Sequence, residues 1–89
     1  MDEGYRTLQF TPRFVNDLIG LSKTEQKQTV RAIKALDENE KRPSRRVHEL
    51  HGALQGIWSA SASKSLRITF ARLDGGRKLL LTVDHHYGD

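Results

Sequence analysis

Leu66-Arg67-Ile68-Thr69-Phe70-Ala71, then Asp74-Gly75-Gly76, then Lys78 through Val83, is the stretch whose reading decides the fold. Leu66, Ile68 and Phe70 alternate with Arg67, Thr69 and Ala71, which is the period of a strand with one buried face and puts Arg67 on the other. Asp74-Gly75 followed by Gly76 is a tight-turn signal, so the two runs predict an antiparallel hairpin. Upstream, Ile57 to Ala62 reads as a further short strand, while His48 to Gly56 shows neither period and reads as irregular. The tail Asp84-His85-His86-Tyr87-Gly88-Asp89 follows the last strand directly.

Further out, the period changes. Thr11-Pro12 supplies an N-cap and a proline at the first helical position, and Phe14/Leu18 with Val15/Ile19 give the four-residue spacing of a short helix closed by Gly20. Ser22 and Glu25 fit a capping box opening a second helix, whose Val30, Ile33 and Leu36 recur three apart and which ends near Asn39. Tyr5 to Phe10 alternates and is rich in Thr and aromatic residues, which predicts a first strand. The order is β-α-α-β-β-β. It predicts an α+β domain spanning residues 1–89, in which a helical hairpin packs on one face of a mostly antiparallel sheet of about four strands. The other face, carrying Arg67, is left as a working surface.

Composition narrows the chemistry. The 89 residues contain no cysteine, which removes disulfides, thiolate nucleophiles, cysteine zinc sites and iron–sulfur clusters, and fits a reducing, cytoplasmic setting. The longest apolar run, Leu79-Leu80-Leu81, falls far short of the roughly 18 residues of a membrane span, and Met1-Asp2-Glu3-Gly4 lacks signal-peptide character. The net charge of +4 is uneven: residues 41–89 hold nine basic and four acidic side chains and all four histidines. A polyanion or an acidic protein would be drawn to that half, although a solvated basic face is the plainer reading.

His48, His51, His85 and His86 do not have metal-ligand spacing, Gly75-Gly76 is not followed by the helix of a phosphate loop, and Ser59, Ser61, Ser63 and Ser65 lie outside any nucleophile elbow and read as a solvated face. What remains suits metal-free cleavage of RNA. That chemistry needs a base for the 2′-hydroxyl, cations for the charge developing at phosphorus, and an acid for the leaving oxygen. His48, Arg67, His86 and Tyr87 supply those types, and Lys41, Arg42, Arg45, Arg46 and Lys64 can hold flanking phosphates. No cofactor is called for. Each residue also has a plainer role: Trp58 as core packing or a hairpin anchor, His51 as a solvated loop residue, Arg67 as a cross-strand partner of Asp84. His85 would face opposite to His86, so one of the two reaches the working face.

His48-Glu49-Leu50, Gly56-Ile57-Trp58-Ser59, Leu66 to Phe70 and Asp84-His85-His86-Tyr87 together resemble the RelE/ParE superfamily of bacterial toxins, and within it the YoeB-like branch. The resemblance implies the same β-α-α-β-β-β fold and a toxin of a type II toxin–antitoxin pair that enters the ribosome and cleaves mRNA, in heteromeric complex with a cognate antitoxin. It implies that Arg67 contacts the scissile phosphate, that His86 and Tyr87 act in proton transfer and substrate positioning, and that His48 matches a histidine of related ribosome-dependent members. Two departures stand out. The stretch before His48 reads Pro43-Ser44-Arg45-Arg46-Val47 and lacks the branch's glutamate, and Ala60 and Ser61 replace basic residues after Trp58-Ser59. The alternatives of a different class are a ParE-like DNA gyrase inhibitor without nuclease chemistry and a plain interaction domain of the same fold.

Overall fold

The computed structural model of the chain describes residues 4–85, so His86 and Tyr87 lie outside the described residues. Two helices precede most of a five-stranded sheet: β1 (Leu8–Phe10), α1 (Pro12–Ile19), α2 (Lys23–Asn39), β2 (His48–Glu49), β3 (Ile57–Ser61), β4 (Leu66–Arg72) and β5 (Lys78–His85). The strands lie in the order β1-β5-β4-β3-β2, with β1 parallel to β5 and every other pair antiparallel.

Both helices start where the sequence signals place them. The Thr11 hydroxyl accepts from the Phe14 amide at 3.1 Å, with Pro12 opening α1. Ser22 and Glu25 close a reciprocal capping box, each side chain accepting from the other residue's backbone at 3.2 Å. The helices cover one face of the sheet, where Phe14, Leu18, Ile33 and Leu36 meet Leu66, Ile68, Phe70, Leu80 and Val83. Along α2, Thr29 rather than Val30 faces this core: Val30 is 41% exposed, while the Thr29 hydroxyl donates to the Glu25 carbonyl at 2.9 Å. A buried stripe of Thr29, Ala32, Ile33 and Leu36 follows the 3.6-residue turn, which a strict three-residue repeat does not.

The sheet departs from expectation at both edges. Tyr5 to Thr7 does not extend the first strand, because the amides of Arg6 and Thr7 turn to the Asp37 carboxylate on α2, at 2.9 and 2.7 Å, instead of to a neighbouring strand. At the other edge, the stretch expected to be irregular contains β2, paired to β3 through His48↔Ser59 and Glu49↔Trp58. The sheet therefore has five strands rather than about four.

Within it, β5 carries an extra residue. Thr69 pairs with Thr82 but Phe70 pairs with Leu80, so Leu81 is a bulge. Before the bulge Lys78 and Leu80 face the helices; after it Val83 does, and Thr82 and Asp84 join Thr69 and Arg67 on the open face.

Glu40, capping α2, ties the helical layer to the hairpin: it accepts from Arg72 at 2.6 Å and from the buried Lys78 ammonium at 3.1 Å. Trp58 stacks on Phe70 with ring centroids 6.4 Å apart, and the Arg72 guanidinium lies 4.1 Å from the Trp58 ring centroid. Trp58 is thus a packing anchor of the β3–β4 hairpin. Among the described residues, no helix is long and apolar enough to cross a membrane.

Candidate active site

The open face of the sheet is organised by register. His48, Ser59, Thr69 and Thr82 stand opposite one another across β2, β3, β4 and β5, and Ser61, Arg67 and Asp84 form the next row. Strands lie about 4.8 Å apart and same-face residues about 6.7 Å apart along a strand, so the backbones of His48 and Arg67 are separated by roughly 12 Å. An interval of that length leaves room for a group the size of a phosphate between two side chains. Between them lies a cleft of about 180 Å³, lined by Arg46, His48, Ser59, Ser61, Ser63, Lys64 and Arg67.

His48 is held in one tautomer. Its Nδ1 lies 2.8 Å from the Arg46 carbonyl oxygen, and a carbonyl can only accept, so Nδ1 carries the proton and the lone pair of the neutral ring is on Nε2. The carbonyl is aimed there by an unusual backbone: Arg46 adopts a left-handed conformation, φ 49° and ψ 45°, after the short 3-10 turn Pro43–Arg45. A non-glycine residue in that conformation costs about 1 kcal/mol, an outlay that recurs at functional sites.

The basic residues divide. Arg46 and Lys64 line the cleft beside His48 and Arg67, and a second groove beside it is bordered by Lys41, Arg42 and Arg46. Lys41 and Arg42 are exposed. Arg45 is engaged otherwise: its Nη1 donates to the carbonyls of Ser61 and Ala62 at 3.3 and 3.4 Å, at the end of β3.

Two carboxylates bear on the chemistry. Glu49, the first after the basic stretch, lies on the face opposite His48 and accepts from the Gly56 amide at 2.9 Å. It organises the loop before β3 and does not reach the cleft. Asp84 stands directly across from Arg67. Among the described residues no ion pair joins the two, and Arg67 Nε and Asp84 Oδ1 are each buried without a hydrogen-bond partner. His85 faces the helices, with Nε2 2.8 Å from Glu25 Oε2. That bond first, and the Ser22 amide second, hold the Glu25 carboxyl below its ordinary value.

The serines correct an expectation. Ser59 is 4% exposed and floors the cleft, so the alternate serines of β3 are not a solvated face. Their spacing with Ile57 already placed them opposite Trp58 and Ala60, but the flanking of Ser59 by His48 of β2 was not legible from it. Among the described residues no three His, Asp or Glu side chains converge as metal ligands.

The fold recurs among solved structures. The toxin–antitoxin complex RelBE2 from Mycobacterium tuberculosis contains a chain 25% identical, with a TM-score of 0.75 over 92% of this chain and 99% of that one. The YoeB dimer from Staphylococcus aureus matches at 18% identity and a TM-score of 0.71, over 94% of this chain and 100% of that one. YafQ from E. coli strain BL21(DE3) matches at 13% identity and 0.74, over 91% and 93%. No family model matches the chain, and no curated protein matches it by sequence. The architecture is that of the RelE/YoeB-type toxins.

Proposed function

We propose that the chain is the toxin of a type II toxin–antitoxin system and a ribosome-dependent mRNA endoribonuclease, neutralised by a cognate antitoxin. The observation that carries this reading is the convergence of His48, Arg67, Lys64 and Arg46 on one cleft of the open sheet face. The likeness to RelBE2, to YoeB with its YefM partner and to YafQ with DinJ supports the toxin role and the antitoxin.

In this reading His48 Nε2 takes the proton of a 2′-hydroxyl, whose oxygen attacks the adjacent phosphorus. The P–O5′ bond breaks, leaving a 2′,3′-cyclic phosphate, and the departing O5′ is protonated by an acid that the resemblance assigns to His86 or Tyr87. The guanidinium of Arg67 and the ammonium of Lys64 neutralise the charge developing on the phosphoryl oxygens. Lys41, Arg42 and Arg46 hold the flanking phosphates. An open cleft of this size does not itself enclose a strand, which suits a partner such as the ribosome presenting the RNA.

Inducing the protein in cells and mapping transcript 5′ ends tests the reading. New ends within translated regions are expected; intact transcripts with rising DNA-damage signalling would instead establish the gyrase inhibitor.

A further inference from the structure

We propose that Asp84 is the positioning residue for Arg67: its carboxylate takes the Nε–H of the guanidinium and leaves Nη1 and Nη2 directed at the scissile phosphate. The proposal rests on the reading of the cleft as a site of RNA phosphate chemistry and adds to it a residue that reading did not use.

Three observations carry it. Arg67 and Asp84 are paired residue to residue across β4 and β5 on the open face, so their Cβ atoms lie about 5 Å apart and side-chain rotation alone brings the groups together. Arg67 Nε and Asp84 Oδ1 are a buried donor and a buried acceptor, both without partners, and each bears its desolvation cost until the two meet. The neighbouring hydroxyls are committed elsewhere, and the other buried donor without a partner, Arg45 Nε, belongs to a guanidinium already bonded to the carbonyls of Ser61 and Ala62. On β3 the Ser61 hydroxyl donates to the Ser63 carbonyl at 2.8 Å, and the hydroxyls of Thr69 and Thr82 bond to each other. Glu49 lies on the other face of the sheet.

Pairing through Nε has a chemical advantage. A guanidinium gripped by both Nη atoms would have its phosphate-binding fork covered, whereas one held at Nε presents that fork to an incoming anion with its plane fixed. Asp84 then acts through Arg67 and does not touch the RNA.

The test reads the arginine Nε–H groups of the full chain by NMR and, separately, single-turnover cleavage of ribosome-bound mRNA. In the wild type the Arg67 Hε should exchange with solvent more slowly than that of the exposed Arg31, and in Asp84→Asn it should exchange markedly faster with the melting temperature little changed. Asp84→Asn should lower the saturating cleavage rate about tenfold while leaving the half-saturating concentration of the programmed ribosome unchanged, and Asp84→Glu should restore part of the rate. An Arg67 Hε that exchanges as fast as that of Arg31 overturns the pairing from the wild type alone, even should the variant not fold. A variant that cleaves as fast as the wild type overturns the positioning role, and one that cleaves faster identifies Asp84 as a competitor of the phosphate. Absence of cleavage by the wild type would defeat the nuclease reading, while the exchange measurement would still decide the pair.

Discussion

His48 illustrates how a single residue acquires a role from its backbone. The Arg46 carbonyl fixes its tautomer, and the two-residue strand β2 fixes its face. His48→Gln can keep a donor to that carbonyl but cannot accept a proton, so the variant should remain folded and bind antitoxin while its cleavage rate falls by about 10² or more. Arg67→Ala should cost about 10²–10³ in rate, because Arg67 is the arginine of the cleft that stands across from His48. Quantified cleavage of a programmed ribosome, with antitoxin pull-down as the folding control, checks both. Arg67 was legible in sequence because strand alternation alone sends it away from Leu66, Ile68 and Phe70. Placing His48 depended on the family resemblance, since two residues are too few to show a period. Arg45 could not be told from its basic neighbours, as its engagement with the carbonyls of Ser61 and Ala62 depends on a contact distant in sequence.

Among the elements, the helices were the most readable because their signals are local. Ser22→Ala should remove about 1 kcal/mol from the unfolding free energy, seen as a lower denaturant midpoint at unchanged slope, because the capping box at the head of α2 loses its acceptor. Trp58→Ala should cost about 3 kcal/mol by the same measurement, through the lost stack on Phe70 and the lost seat of Arg72. The strands were legible where alternation is long and illegible where pairing is set from afar. Nothing local to Arg6 and Thr7 announces that Asp37, thirty residues on, draws their amides out of the sheet. Leu79-Leu80-Leu81 likewise hides its bulge, since three identical side chains carry no face preference.

At the scale of the whole molecule, acidic side chains clamp the helical layer to the sheet. Glu40 is held below its ordinary value of 4.5 by its bond to Arg72 and then by Lys78, and Glu25 below the same value by His85 and Ser22. At Asp37 burial raises the carboxyl, but the amides of Arg6 and Thr7 and the Thr7 hydroxyl outweigh it and the net shift is downward. A carboxyl depressed in the folded state contributes stability above its unfolded value and loses it as pH falls through the folded one. The melting temperature should therefore be level above about pH 5 and decline below about pH 4.5, and Glu40→Gln should start lower and decline less steeply.

The bulge at Leu81 has a consequence for the molecule as a reading frame. Strand β5 assigns its residues to the two faces by odd and even count, and the extra leucine resets that count before the tail begins. Deleting Leu81 would remove the bulge and leave Asp84 across from Arg67, whereas a regular strand that took Leu81 into the ladder would turn Asp84 toward the helices and His85 toward the cleft. The bulge is thus what lets one strand bury Leu80 and Val83 on the helical side and still set Asp84 beside Arg67 on the open one.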